Sequence, residues 1–450
     1  MPDISSIFKA YDIRGKVGSE LSAEVANRIG KAFADWLPST GRVAVGRDMR
    51  PDSAELAAAA IDGLTQQGRD VLDIGEVTSD MIYFAVGNNQ LAGGLMVTAS
   101  HNPGIYNGLK LCREVARPVG QESGLLEIRD KVINQTFNSP AAKPGAIEQK
   151  DITEDWVKHV LTFVKPDQMK PLKIAVDAGN GMAGKIFPSL EPHVPWQVSE
   201  MYFDLDGTFP NHAANPLNFE TLNDLIAKIK ANNLDGGIAF DGDGDRAFLV
   251  DETGAVITGN VMNAMLGEYF LDEFPGSAIL YDLRSTHAVP EIIKAKGGQP
   301  ICTRVGHSFI KQVMRENNAP FGGEVSGHFY FRDNFFADSG LIAAIIGLYV
   351  AGLNGKSLSQ IRQYYTKYSV LPETNFEVED KGAVFERLKK AFKNDKQSEL
   401  DGLTLELADD KWFNVRASNT EPVIRLNAEA KTQNELDELV QKVIAVITAN

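Results

Sequence analysis

Cysteine is almost missing from this 450-residue chain, with Cys112 and Cys302 the only two. Two thiols cannot build a disulfide framework, so a reducing, cytoplasmic setting is the expectation. Neither sits in a C-x-x-C pair and each has an apolar neighbour, which reads as two buried packing residues rather than ligands or nucleophiles. Long hydrophobic runs are missing as well. The longest, Leu341 to Leu353, falls short of the roughly 18 residues a membrane span needs and reads as a core helix. Met1-Pro2-Asp3 starts neither the basic nor the apolar region of a signal peptide, so none is expected. Positive charge is outnumbered, 45 Lys and Arg against 60 Asp and Glu, and the net charge of −15 opposes a nucleic-acid face. Neither nucleic acid nor membrane is expected as a partner. A small anionic substrate remains compatible if a local basic cluster overrides the global field.

What is present is an ordinary globular composition, 43% hydrophobic and 23% charged, in a chain too long for one core. Phe8 to Gly15 is neither helix-periodic nor alternating and reads as a structured loop. A helix follows over Ser22 to Trp36, then a strand at Val43 to Val45. Ser53 is placed as the cap of a helix ending near Gly68. A strand at Val71 to Ile74, a helix near Ile82 and a strand at Gly94 to Val97 complete a βαβαβ pattern, hence a mainly parallel, helix-covered sheet. Ser139 to Gly145 reads as a linker. The pattern restarts at Lys173 to Asp177 and again at Ala278 to Asp282, without a strict sequence repeat. Leu403 to Leu407, Trp412 to Val415 and Pro422 to Ala428 read as strands, and Gln433 to Thr448 as an amphipathic helix. The expected fold class is α/β: three similar mixed α/β domains plus a C-terminal α+β domain. The expected boundaries are 1–147, 148–253, 254–365 and 366–450.

Two loops carry chemistry. Thr98-Ala99-Ser100-His101-Asn102-Pro103 puts a serine just past the carboxyl end of a strand, where α/β sheets bind ligands. Asp241-Gly242-Asp243-Gly244-Asp245-Arg246 alternates three carboxylates with glycine between two strand-like runs. Three acids so close repel one another unless a cation or basic partner is present, and an all-oxygen set favours Mg²⁺ or Ca²⁺. An EF-hand is excluded by Arg246 at its glycine position and by the strand-like flanks. Mg²⁺ keeps positions open for phosphate oxygens, so the loop points to phosphoryl chemistry.

Phosphate-site candidates divide clearly. Gly179-Asn180-Gly181-Met182-Ala183-Gly184, with Glu200 and Asp204 downstream, matches a dinucleotide fingerprint, but it leaves Ser100 and the acidic loop unexplained. Gly355-Lys356-Ser357 fails as a P-loop because Val350 stands where a glycine is required. Arg416-Ala417-Ser418-Asn419-Thr420-Glu421-Pro422, with Arg425 just beyond, joins two strands and offers guanidinium, hydroxyl and amide groups to a phosphate. Thr303 to Ser308 and Gly322 to His328 are further polar loops. In the latter, Glu324 and Ser326 suit sugar hydroxyls, and His328 is a residue type that can move protons near neutral pH.

Taken together these loops resemble the bacterial α-D-phosphohexomutase family, most closely its phosphomannomutase/phosphoglucomutase branch. The resemblance rests on Lys9 to Gly15, the 98–103 loop, Tyr106-Asn107-Gly108-Leu109-Lys110 and the loops at 241–246, 304–308, 322–328 and 416–420, in the family's order. It implies a heart-shaped arrangement with a central active-site cleft, and Ser100 as a phosphoserine. It also implies one Mg²⁺ held by Asp241, Asp243, Asp245 and that phosphoserine. By the same resemblance Glu324 and Ser326 contact the sugar, with Tyr11, Arg304 and His307 also on the substrate. Arg416, Ser418, Asn419, Thr420 and Arg425 hold its distal phosphate. Lys110 and His328 are the proton movers, with His101, Arg14 and Arg246 nearby. Implied partners are phosphosugars, with a hexose 1,6-bisphosphate as activator, acting on a monomer or weak dimer. Val325 stands where close relatives often have Met, which leaves both polar contacts in place. The alternatives are a phosphoglucosamine mutase, a Mg²⁺-dependent sugar phosphatase, a nicotinamide-dependent oxidoreductase and a non-catalytic phosphosugar-binding protein.

Overall fold

The apolar runs that read as strands pair into four separate sheets. The computed structural model describes residues 4–417 and 423–449, without the side chains of His307 and Asn354. In the first sheet Gly93–Val97, Val43–Arg47, Val71–Glu76 and Ile147–Gln149 lie side by side and parallel. Both faces are covered, as the unbroken apolar strands demand. Val43 and Val45 point into a core with helices Ala23–Trp36 and Ser53–Gln66, while Ala44 points into a core with helix Ser79–Asn88. Tyr106–Arg113 then joins Gly93–Val97 antiparallel, and Ile13–Lys16 closes that edge.

The second sheet repeats this plan. Trp196–Met201, Leu172–Asp177 and Gly236–Phe240 are parallel, and Ala247–Asp251 turns back antiparallel. The third does so again: Gln299–Thr303, Ala278–Asp282 and Phe321–Gly323 are parallel, and Phe329–Phe331 returns antiparallel. In all three the chain leaves the carboxyl end of the last parallel strand and doubles back. Those reversals are the segments 98–105, 241–246 and 324–328, which hold the serine, acidic and sugar loops. One topological position thus supplies three functional loops.

The fourth sheet is wholly antiparallel, ordered Ser369–Glu377, Val423–Ala430, Trp412–Ala417, Leu403–Glu406 and Lys396–Ser398, with helices Lys381–Ala391 and Gln433–Ile447. Its core stands alone. The first three units instead share one continuous core, running from helix Ser79–Asn88 through Trp156 to helices Gly259–Glu273 and Gly340–Asn354. Among the described residues no single helix is long and apolar enough to cross a membrane.

Several local expectations are corrected. Ile13–Lys16 is a strand and not part of a loop; at four residues, paired along one side only, it is too short to show alternation. Ser53 does not cap its helix: its hydroxyl donates to Asp48 Oδ1 at 2.5 Å, and Asp52 is the N-cap. Cys112 is buried but Cys302 is exposed, because it lies on the edge strand Gln299–Thr303 with its side chain facing outward. The 139–145 segment is not a free linker. Ala141 N donates to Gln66 O at 2.8 Å and Gly145 N to Thr65 O at 2.9 Å, strapping it to the end of a helix. The Gly179–Gly184 turn is also occupied: Met182 N donates to Gly242 O at 2.9 Å, so the turn props up the acidic loop instead of presenting its N–H group to a dinucleotide.

Candidate active site

Ser100 is held in a backbone shape that few non-glycine residues adopt. Its φ is +50°, in the left-handed region. Two groups hold it there. Thr98 Oγ1 accepts from Ser100 N at 2.9 Å. Arg50, 3% exposed, donates to four carbonyls of this loop: Ser100 O at 2.8 Å, Asn102 O at 2.6 Å, Pro103 O at 3.0 Å and Tyr106 O at 2.8 Å. Buried Asp48 neutralises Arg50 through Nε at 3.1 Å. Arg14 reaches the same loop, donating to Ala99 O at 3.3 Å and Asn102 Oδ1 at 2.6 Å, with Asp12 on its Nε at 2.8 Å.

The serine loop rests on the acidic loop. Ser100 Oγ donates to Asp241 Oδ2 at 2.9 Å, and a Cβ placed on Gly242 would stand 2.6 Å from Ser100 O. Asp241, Asp243 and Asp245 are buried and each offers a carboxylate oxygen, all within 4.8 Å of one another. Among the described residues, Asp243 Oδ1 and Asp245 Oδ1 are buried without a hydrogen-bond partner. Orphaned carboxylate oxygens converging beside a serine hydroxyl are the donor set a hard divalent cation takes, so these residues fit Mg²⁺.

Side chains also bring positive charge to the triad. Lys110 Nζ bridges Asp243 Oδ2 and Asp245 Oδ2, both at 2.6 Å. Arg246 Nε donates to Asp241 Oδ2 at 2.9 Å, and its Nη2 contacts His101 Nδ1. Burial would strip the proton from Lys110, but the charges of Asp243 and Asp245 hold its pKa well above the ordinary lysine value, so it is a firm ammonium. Burial, Arg246 and Arg14 push the His101 pKa down to about 2, which keeps that imidazole neutral. His101 Nδ1 lies 3.1 Å from Ser100 Oγ. His328 behaves oppositely: burial lowers its pKa, and the hydrogen bond to Asp338 with the charge of Asp245 more than restores it. Its Nδ1 is 2.8 Å from Asp338 Oδ2, and Lys311 Nζ fixes Asp338 Oδ1 from behind at 2.6 Å.

A cleft of about 600 Å³ opens over these groups. Tyr11, Arg14, Ser100, His101, Lys110, Asp245, Arg246, Arg304, His328, Arg416 and Arg425 all line it, so every domain contributes. Tyr11 OH donates to Val305 O at 3.4 Å, and Arg304 lies 4.2 Å over the Phe309 ring. Asp241 and Asp243 sit behind the wall. Glu324 is also set back: it is 3% exposed and accepts from Gly306 N at 2.8 Å and Tyr330 OH at 2.6 Å. Ser326 is half-buried on the same loop. Arg416 pairs with Glu373 at 2.6 Å and Arg425 approaches the same residue at 3.6 Å. Ser418, Asn419 and Thr420 lie outside the described residues, as does the side chain of His307.

The sequence reading passed over Asp48, Arg50, Arg284, Lys311, Asp338 and Glu373. One signal was available for three of them. Asp48-Met49-Arg50 and Asp282-Leu283-Arg284 each follow a central strand. In both, the aspartate Oδ1 accepts from the backbone N two residues on, at 3.0 and 2.7 Å, and the side chain pairs with the arginine. Asp177 repeats the turn on Gly179 N at 2.8 Å, without an arginine. The other three pair across long sequence separations and leave no local pattern.

Comparison with known proteins agrees with this anatomy. Family models described as phosphoglucomutase/phosphomannomutase match four times in order: alpha/beta/alpha domain I over residues 5–139, domain II over 154–254, domain III over 258–368 and the C-terminal domain over 373–446. A protein of Xanthomonas campestris pv. campestris named "Phosphohexose mutases" is 41% identical over 430 residues, covering 94% of this chain and 95% of the relative. A Salmonella typhimurium phosphomannomutase is 39% identical over 436 residues, 94% of each. The crystal structure of a phosphoglucomutase/phosphomannomutase family protein from Burkholderia thailandensis superposes with a TM-score of 0.91 at 32% identity, covering 99% of both chains.

Proposed function

The chain belongs to the phosphoglucomutase/phosphomannomutase family, and from that premise we propose that it interconverts hexose 1-phosphates and hexose 6-phosphates of mannose, glucose or both. The observation that carries the reading is the Ser100 hydroxyl, hydrogen-bonded at 2.9 Å into a buried carboxylate triad on the wall of an arginine-lined cleft. A lone nucleophilic serine needs a base to be activated, and these surroundings suit a phosphoserine that is already charged.

In the forward half-reaction the Ser100 Oγ–P bond breaks and a bond forms from phosphorus to the free sugar hydroxyl, giving a hexose 1,6-bisphosphate. The hydroxyl proton passes to one member of the Lys110/His328 pair and the freed Ser100 oxygen takes a proton from the other, and the second half-reaction reverses both transfers. The bisphosphate then turns over, its other P–O bond breaks, and the phosphoryl group returns to Ser100. Asp241, Asp243 and Asp245 are the residues to hold one Mg²⁺, which would offset the charge of the transferring phosphoryl group. Arg246 and Arg14 complete the positive wall, and Arg50 positions the loop. We assign proton movement to Lys110 and His328, with neutral His101 beside Oγ. To sugar recognition we assign Glu324 and Ser326, with Tyr11, Arg304 and His307. Arg416, Arg425, Ser418, Asn419 and Thr420 hold the phosphate that is not reacting. A cleft walled by one chain suits a monomer or weak dimer in the cytoplasm, with hexose 1,6-bisphosphate as activator.

Peptide mass analysis should find a phosphoryl group on Ser100 in the resting protein. Ser100→Ala and Asp243→Asn should each abolish interconversion of the 1- and 6-phosphates without stoichiometric phosphate release. A fully active Ser100→Ala protein would sink the proposal. Relative kcat/KM on mannose, glucose and glucosamine 1-phosphates decides the sugar.

A further inference from the structure

Across the cleft from Ser100, three guanidinium groups from two domains converge on one carboxylate. Glu373, on the first strand of the last sheet, accepts from Arg416 Nη2 on Oε2 at 2.6 Å. Arg425 Nη1 stands 3.6 Å from Oε1, and Arg284 Nη1, from the third domain, 4.0 Å from Oε2. The side chains of Arg284 and Arg416 are each 11% exposed, that of Glu373 29% and that of Arg425 35%, so the cluster is partly desolvated and not a surface pair. Arg416 is also 3.8 Å from Asp401, whose other role is to accept from Val305 N at 3.2 Å.

Planar guanidinium donors suit a carboxylate and a phosphate equally well, and one set of N–H groups serves only one anion at a time. Glu373 also fills the site incompletely. Among the described residues, the Nε atoms of Arg416 and Arg425 are buried without hydrogen-bond partners, as a two-oxygen anion in a site for more oxygens would leave them.

We infer that Glu373 is an internal competitor for the non-reacting phosphate: it holds Arg284, Arg416 and Arg425 together between turnovers and is displaced when phosphate binds. The consequence for turnover rests on the mutase reading. A bisphosphate that must turn over within the cleft has to be released by this clamp once per cycle. A built-in carboxylate that retakes the arginines weakens the grip and speeds that release.

The test is calorimetric titration of the full-length protein with inorganic phosphate, without added Mg²⁺. Glu373→Gln keeps the side-chain volume and removes the competing charge, so phosphate should bind about three- to tenfold more tightly, as expected when a competitor occupies the clamp most of the time. Glu373→Asp, with a shorter reach, should fall between the two and serves as the readout if the glutamine variant fails to fold. In the double variant Glu373→Gln/Arg416→Gln the gain should vanish. In steady state Glu373→Gln should lower both KM and kcat for a hexose 1-phosphate. Unchanged or weaker phosphate binding in a folded Glu373 variant overturns the inference, and so does a gain that survives loss of Arg416. Failure of the parent chain to interconvert hexose phosphates would count against the mutase reading alone, since the phosphate titration reads Glu373 without turnover.

Discussion

Arg50 shows how much of the serine loop depends on one side chain. It donates to four carbonyls of a loop whose serine has φ of +50°, and its charge is offset by Asp48, buried at 1% exposure. Arg50→Ala should cost unfolding stability of about 3–5 kcal/mol, because Asp48 is left as an uncompensated buried charge. It should also lower kcat/KM by about a hundredfold, the scale expected when a reacting group shifts by an ångström. Denaturant titration and steady-state assay of the same preparation check both; a variant with normal stability would show that Asp48 finds another partner. The reacting and metal-facing residues were legible in the sequence, because Ser100 and the 241–245 carboxylates sit in dense local patterns. Arg50 was passed over: its turn with Asp48 is local, but the four carbonyls that give it a role lie 50 to 56 residues away.

At the scale of elements, two helix N-termini from different domains meet through one acid. Asp80, in the first turn of Ser79–Asn88, accepts from Thr78 and from Ser339 Oγ at 2.5 Å, and Ser339 is the N-cap of Gly340–Asn354. Burial pushes the Asp80 pKa up to about 7, well above the ordinary carboxylate range. A folded-state pKa above the unfolded one means that ionisation opposes folding. The favourable contribution is therefore complete below about pH 4 and is lost as pH rises towards 7. Asp80→Asn cannot ionise, so its stability relative to the parent should improve by about 2–3 kcal/mol between pH 5 and pH 8. Urea denaturation at the two pH values measures this, and a difference independent of pH would contradict the assignment. The apolar run at Leu341 to Leu353 and the βαβ pattern around Ile82 revealed both helices, but nothing in either one announces the other, because the contact spans 259 residues.

The whole molecule is three units on a shared core and a fourth on its own. The cleft lies where they face one another, and its lining runs from Tyr11 to Arg425. A ligand gripping both sides ties the last domain to the rest. Saturating glucose 1-phosphate with Mg²⁺ should raise the melting temperature of the last domain, with about 2.7 kcal/mol of stabilisation at a hundredfold excess over Kd. Scanning calorimetry with and without the sugar phosphate reads this, and an unmoved transition would argue against a bridging site. The sequence by itself determined the class of fold, the order of the domains and the loops that bear the chemistry. Strand periodicity, turn chemistry and clustered carboxylates are local, and they survive in a linear text. Tertiary structure alone decided that three of those loops occupy one repeated sheet position, that Arg50 and Lys311 brace the site from behind, and that Glu373 stands among the phosphate arginines. Those facts depend on which distant segments share a wall, and pairing across tens of residues leaves no period to read.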